Sequence, residues 1–329
     1  MSRIVGQCKI FKTRMKQVKA VAPYIYEGGI NFKHKPYEAW VKLGGEVAPS
    51  HYPPKWLHGL AFRYELPTIV NCQLSIINSK REARLRFVEP VSLYFDTFPD
   101  YSLYEVIPFV WDCWPCYFEK MCSWLKRHNI RTAIFTSSQT AERMRGCFPE
   151  MNILWCPEAV DSSCYTEGKM LKDRVLDVLE FGRKSNINLT PNLNYVCTKE
   201  GDKFLYTEKE LFQLMGDAKV TITLPRSVTH PELAGDVETL TQRYWECMLS
   251  RMIMVGHAPQ ELIDLIGYNP LIEINRTNAQ EQIADILAHT EDYQSLVDKN
   301  RETAQSMGDW TCRMKEVMRW LQELGYLLP

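Results

Sequence analysis

The sequence predicts an α/β protein of two domains, each a parallel sheet flanked by helices. Two observations carry that prediction. Short β-type runs alternate with helix-type segments along most of the chain, the pattern of strands joined by helical crossovers. The length, 329 residues, fits two domains of about 150 residues each. No internal repeat or low-complexity segment interrupts the series, and the joint falls near residues 157–170. The domains are read as 1–160 and 161–308, with 309–329 as a closing helix.

In the first domain the candidate strands are Arg3–Ile10, Thr68–Asn71, Pro90–Phe95, Glu105–Trp111, Arg131–Phe135 and Asn152–Cys156. Residues 115–127 form an amphipathic helix opened by Pro115, which needs no N–H at a first helical position. Another helix starts at Ser137-Ser138, whose hydroxyls can cap the run that follows. In the second domain, strand Val175–Phe181 ends at Gly182, and an Asn-rich stretch (186–194) leads to Tyr195–Cys197. Helix Thr207–Met215 opens with a capping box, Thr207 with Glu210. Strand Lys219–Leu224, a helix at 239–250, strand Met252–Val255, helix Pro259–Ile266, strand Leu271–Ile274 and a long helix from Ala279 follow. Trp310–Leu324 is the last amphipathic helix.

Composition excludes several classes. With 45% hydrophobic and 24% charged residues the chain is an ordinary globular one. Lys and Arg number 39 against 40 Asp and Glu, so no basic footprint for nucleic acid is present. The neutral total hides a local excess: residues 1–60 hold ten Lys/Arg, including Lys9, Lys12, Arg14, Lys16, Lys19, Lys33 and Lys35, against Glu27, Glu38 and Glu46. That stretch reads either as solvated surface or, with Tyr24, Tyr26, Trp40 and Trp56 nearby, as a face suited to an anionic membrane, each cation there contributing about 1 kcal/mol. The cysteines sit singly in hydrophobic stretches (Cys8, Cys72, Cys156, Cys247) and read as small core residues. Nothing resembling a signal peptide opens the sequence, so a reducing cytoplasm is expected. The pair Cys113 and Cys116 lacks a second pair or a His at zinc spacing, and no metal site is expected. No apolar run reaches the roughly 18 residues that a bilayer span needs.

Ligands of open α/β sheets sit at the carboxyl ends of strands, which directs attention to the loops after Trp111, Phe181 and Leu224. The richest segment runs from Glu238 through Glu246 to Val255: a loop glutamate, a helix with a second glutamate two turns in, a short turn and an apolar strand. A solvated amphipathic helix with incidental acids is the plain reading. The other is a ligand site, because a first helical turn exposes backbone N–H groups and a positive dipole end suited to a diphosphate. Carboxylates beside a phosphate repel it, so their partners would be hydroxyls.

Here the chain resembles the family-4 glycosyltransferases of the GT-B fold, two Rossmann-like domains facing each other across a cleft. The resemblance rests on their E-x7-E motif, with Glu238, Leu240, Glu246 and Met248 in register. Ala133-Ile-Phe-Thr-Ser-Ser-Gln-Thr-Ala-Glu-Arg, Cys156-Pro-Glu-Ala-Val-Asp161, Glu180-Phe-Gly-Arg183 and Thr207-Glu-Lys-Glu-Leu are similar to further family elements in order and spacing, so it covers about residues 105–325. It implies a retaining, metal-independent transfer from a nucleoside-diphosphate sugar to a glycan or lipid-linked acceptor, with no cofactor, as in bacterial surface polysaccharide synthesis. Glu246 would accept hydrogen bonds from the donor ribose, Glu238 from the transferred sugar, and Arg183 would neutralise the diphosphate. Lys184 would assist it, although the family places its lysine five or six residues after that arginine, where this chain has Asn186-Ile-Asn-Leu. Thr239 and Thr241 replace family glycines around Leu240, offering backbone N–H groups and hydroxyls to the donor. Arg226 and His230, on the loop after Leu224, are further donor candidates, His230 reading equally as a solvated loop residue. Asp112 is the candidate to orient or deprotonate the acceptor hydroxyl, or else a helix cap before Pro115. The pairs Gly28-Gly29 and Gly44-Gly45 do not match the family's glycine-rich loop. The family pattern also sends the closing helix back toward the first domain. The rivals are a sugar-nucleotide epimerase or phosphorolytic enzyme on the same fold, and a catalytically silent partner subunit.

Overall fold

The alternation of strands and helices becomes, in a computed structural model, two wholly parallel sheets. The structure describes residues 16–25, 32–52, 82–185, 187, 189, 192–200 and 203–329. The chain divides into two units, residues 1–157 with 311–329, and residues 158–310.

The first unit contains β1 (Gln17–Val21), α1 (His34–Lys42), β2 (Val47–Ala48), β3 (Glu82–Val88), α2 (Leu93–Thr97), α3 (Asp100–Leu103), β4 (Glu105–Val110), α4 (Pro115–Arg127), β5 (Thr132–Phe135), α5 (Ser138–Cys147) and β6 (Asn152–Trp155). Its strands lie in the order β2-β1-β3-β4-β5-β6. Every residue of β4 and β5 is buried, as expected of parallel strands covered on both faces. Ser137 caps α5 by accepting the Thr140 N–H at 3.4 Å.

Two longer strands of the first unit differ from the reading of the sequence, which also leaves out the two-residue strands β2, Lys199–Glu200 and Lys203–Phe204. Pro90–Phe95 is not a strand but a turn leading into α2, and the strand of this region is β3. The charges of Arg84 and Arg86 disguise it, because both side chains are buried with partners that no local pattern reveals. Arg86 Nε lies 2.8 Å from Asp100 Oδ2. Arg84 pairs with Glu82 at 2.8 Å and sits 3.9 Å above the Tyr104 ring. The other is β1, which the sequence reading leaves out; the expected strands Arg3–Ile10 and Thr68–Asn71 lie outside the described residues.

The second unit runs β7 (Leu176–Glu180), β8 (Tyr195–Cys197), the ribbon β9 (Lys199–Glu200) and β10 (Lys203–Phe204), α6 (Glu208–Asp217), β11 (Ala218–Thr223), α7 (Arg226–Thr229), α8 (Pro231–Ala234), α9 (Gln242–Leu249), β12 (Ile253–Gly256), α10 (Gln260–Ile266), β13 (Ile272–Glu273), α11 (Ala279–Ala288) and α12 (Gln294–Met307). Its main sheet has the order β13-β12-β11-β7-β8. The capping box of α6 forms, Thr207 Oγ1 accepting from Glu210 N while Glu210 accepts from Thr207 N. The long helix expected from Ala279 is instead two helices, separated by a 3₁₀ turn at Thr290–Tyr293 with Thr290 buried. One face of the sheet packs on the fully buried Trp245, Cys247 and Met248 of α9 and on Leu262 of α10.

The boundaries fall at 157/158 and 310/311 rather than 160/161 and 308/309 because the entering and leaving strands of the second unit are bonded to each other. Val160 N donates to Gly308 O at 2.9 Å and Trp310 N to Val160 O at 3.0 Å. Asp309 also accepts from the amide and hydroxyl of Ser162 at 3.0 and 2.7 Å. The last helix, α13 (Trp310–Glu323), buries Met314, Val317 and Leu321. Residues 311–329 belong to the first unit. There Leu327 bonds along β1, accepting from Val18 N at 3.1 Å and donating to Lys16 O at 2.8 Å.

The close approach of β11 and β12 gives one prediction for the fold. A Cβ at Gly256 would overlap the backbone carbonyl of Thr223, and neither strand has room to move away. Gly256→Ala is expected to cost about 2–3 kcal/mol or more, read as a lower denaturant midpoint at unchanged slope for the second unit.

Candidate active site

In the second sheet β7 has β8 on one side and β11 on the other, so the strand order reverses between β7 and β11. The carboxyl ends at such a reversal are where open α/β sheets bind ligands. The loop after β7 is held by Glu180, a buried residue whose carboxylate accepts from Ser185 N and, at 2.6 Å, from Tyr195 OH on β8. Gly182 follows with φ +72, a conformation that favours glycine, and a Cβ there would overlap Nη2 of Arg243. Half-buried Arg183 comes next and exposed Lys184 after it. Arg243, in the first turn of α9, lies with its guanidinium carbon 5.4 Å from the centre of the Phe181 ring.

The amino end of α9 is more committed than the sequence suggests. Leu240 N donates to the buried carboxylate of Glu261, and Gln242 N donates to Glu158 Oε2 at 3.2 Å. The diphosphate seat expected there from uncommitted amides is therefore corrected at these two positions: protein carboxylates already use the positive end of the dipole. The reason is local, since Thr241 occupies the N-cap without a side-chain cap bond and the first turn has no acid of its own. The carboxylates arrive from distant sequence. Thr239 and Leu240 are buried, and Leu240 is a core side chain.

Glu238 stands just before this turn. Its Oε1 lies 3.0 Å from His257 Nε2, and His257 Nδ1 lies 3.1 Å from Glu273 Oε2. These groups come from the carboxyl ends of β12 and β13 and the loop before α9. Burial works to lower the His257 pKa, but the hydrogen bond and charge of Glu273, together with those of Glu238, outweigh it and leave the imidazole above its usual 6.5. Tyr244 ties the cluster together. Its hydroxyl donates to His257 O at 2.8 Å, and burial pushes the phenol upward against the opposing charges of Arg243 and Arg183, with Glu238 adding to the rise. Arg183, Arg243 and Glu238 thus all lie within electrostatic reach of one buried hydroxyl.

Glu246 has different neighbours. It accepts from Tyr165 OH at 2.9 Å, and burial raises its carboxyl above the usual range, with that hydrogen bond and the Arg243 charge opposing the rise. Arg226 opens the short helix α7 behind Pro225, and His230 sits between α7 and α8 with Nδ1 3.1 Å from Thr229 Oγ1. Sequence reasoning missed Arg243, Tyr244, His257 and Glu273. For Arg243 a signal existed, a cation in a first helical turn against the dipole preference.

In the first unit, Asp112 follows β4 with φ +48, an uncommon conformation for a residue with a Cβ. It is not the cap of α4, whose N-cap is Trp114 without a side-chain cap bond. Strain of this kind clusters at functional sites. The basic stretch is largely neutralised where it is described: Lys16 pairs with Glu105, Lys19 with Glu82, Lys35 with Glu38, and buried Lys33 with Asp96 and Glu89. Trp40 is fully buried, so it offers nothing to a membrane; Lys9, Lys12, Arg14, Tyr26, the Gly28-Gly29 pair and Trp56 lie outside the described residues. Among the described residues no helix is long and apolar enough to cross a membrane, and no three His, Cys, Asp or Glu gather as metal ligands.

No protein-family model matches the chain, and a search of curated proteins finds no relative. Solved structures do match. Anabaena HepE in complex with UDP-glucose aligns with TM-score 0.60 at 10% identity, over 93% of this chain and 99% of that one. The N-terminal domain of Candida albicans trehalose-6-phosphate phosphatase gives 0.57 at 9% identity, over 97% and 98%. Sucrose-phosphate synthase from Thermosynechococcus elongatus gives 0.55 at 12%, over 94% and 99%. At these identities the likeness is one of fold, and the fold is GT-B.

Two predictions follow from the titrating groups. His257 is raised in the folded state, so its contribution to stability is complete below pH 6.5 and is lost as pH rises through the folded pKa. The melting temperature of the wild type is expected to fall across that interval, and His257→Asn to show a smaller fall in the same pH series. Glu246 is raised too, so its contribution is present below about 4.5 and lost as pH rises, leaving a cost at neutral pH. Glu246→Gln keeps an acceptor for Tyr165 and is expected to raise the melting temperature at pH 7.5, by about 2–4 °C for each kcal/mol relieved.

Proposed function

We propose that the chain is a glycosyltransferase that moves a sugar from a nucleoside-diphosphate sugar to a hydroxyl of a glycan or lipid-linked acceptor. The observation that carries this reading is the gathering of Arg183, Arg243, Glu238 and His257 around Tyr244 at the carboxyl ends of a GT-B sheet. The solved neighbours support the donor class, since HepE is described in complex with UDP-glucose. In the proposed reaction the bond between the anomeric carbon and the diphosphate oxygen breaks, and its electron pair leaves with the diphosphate. The acceptor oxygen forms the new bond on the same face, with retention, and its proton passes to the departing diphosphate.

Each side chain has a part in this scheme. Arg183 neutralises the charge that develops on the leaving group, where electrostatic help lowers the barrier most. Guanidinium groups supply positive charge without a metal. Glu238, oriented by His257, accepts hydrogen bonds from the transferred sugar, and Glu246 accepts from the ribose. Thr239 and Thr241, with Arg226 and His230 on the neighbouring loop, border the donor. Asp112 orients the acceptor hydroxyl. In this reading the enzyme works in the cytoplasm, and a lipid-linked acceptor would bring it to the inner face of a membrane in surface polysaccharide assembly.

A panel of UDP-, GDP- and ADP-sugars tests the reading. At least one is expected to raise the melting temperature by several degrees and to be consumed when acceptor is added. Arg183→Ala is expected to lower turnover by about 100-fold or more with the fold retained by circular dichroism; unchanged turnover would sink the assignment. Stabilisation without transfer or hydrolysis would instead identify a silent subunit of the same fold.

A further inference from the structure

We infer that Arg243 is a second diphosphate-binding cation, taking the charge that the amino end of α9 would otherwise meet with its backbone amides. The inference rests on the proposed donor class. The amides of Leu240 and Gln242 already donate to Glu261 and Glu158, so an arriving phosphate meets them committed. Arg243 is one residue beyond, in a turn where the dipole disfavours a cation.

Two features of this chain hold the guanidinium in place. Gly182, at φ +72, leaves the space that its Nη2 fills, and any Cβ would overlap it. The Phe181 ring lies under it at 5.4 Å, a cation–π distance. Its charge reaches both the Tyr244 hydroxyl, which also feels Arg183, and the Glu246 carboxyl. The Arg243 guanidinium therefore borders the loop after β7 that carries Arg183, at the strand reversal where a ligand is expected. A planar, always-charged fork suits the oxygens of a diphosphate better than a lysine's point charge would.

Calorimetry with UDP, GDP and ADP, and ligand-observed NMR with the matching nucleosides, tests the assignment on the full chain. Arg243→Gln is expected to weaken the diphosphate that the wild type binds by about 10- to 100-fold. Nucleoside binding and melting temperature should stay close to wild type, and Arg243→Lys should recover part of the loss. Diphosphate affinity within about twofold of wild type in Arg243→Gln would overturn the assignment while leaving the donor class intact. Equal losses for nucleoside and diphosphate would also overturn it, by showing that Arg243 only supports the loop. A wild type that binds none of the three diphosphates would remove both the assignment and the reading beneath it.

Discussion

Glu158 fastens α9 to the start of the second unit through two polar contacts. Its carboxylate accepts from Gln242 N at the start of the helix, and its backbone carbonyl accepts from the Trp245 indole N–H at 2.7 Å, one turn further on. Trp245 is fully buried and packs so closely on Gly308 that a Cβ there would lie 2.7 Å from the ring. The segment 158–162 is itself bonded to 308–310. The helix that carries Arg243, Tyr244 and Glu246 is thus clamped to the chain's entry into and exit from this unit, which is the rigidity that positioned chemistry needs.

That clamp has a chemical consequence. Using carboxylates to satisfy a helix amino end places negative charge where an anionic ligand would otherwise be welcomed. The site's positive character then has to come from side chains, and the guanidinium groups of Arg183 and Arg243 supply it beside a loop shaped by Gly182 and Glu180. The carboxylates left facing the cluster serve differently. Glu238 is bridged through His257 to Glu273, whereas Glu246 is drawn toward its neutral form by burial and bonded to Tyr165. The two ends of the same motif therefore differ in surroundings: Glu238 faces an imidazole, whereas Glu246 is buried against a phenol.

Much of the fold was legible in the sequence because parallel strands buried on both faces read as apolar runs. β4, β5 and β7 fall inside the expected segments, β11 begins one residue before its expected start, and the capping box of α6 forms as its spacing requires. β3 was not legible, because Arg84 and Arg86 look like surface residues until Asp100 and the Tyr104 ring are brought to them. The excess of positive charge near the amino terminus misled for the same reason. The acids that neutralise Lys16, Lys19 and Lys33 are Glu105, Glu82, Glu89 and Asp96, from beyond that stretch. At the site, Glu238 and Arg183 could be singled out from motif and position, whereas His257 and Glu273 looked like an ordinary strand end and an ordinary acid.

The sequence by itself determined the α/β class, the succession of most strands and helices, and the strand ends at which chemistry should be sought. Those properties follow from local periodicity, capping and chain length. Only the tertiary structure decided which charges remain available to a ligand. Whether an amide at a helix end is open or taken, whether a lysine is neutralised, and whether a carboxylate is ionised all depend on groups tens of residues away, such as Glu158 and Glu261 against α9. Electrostatic interactions act through space, so no pattern along the chain reveals them.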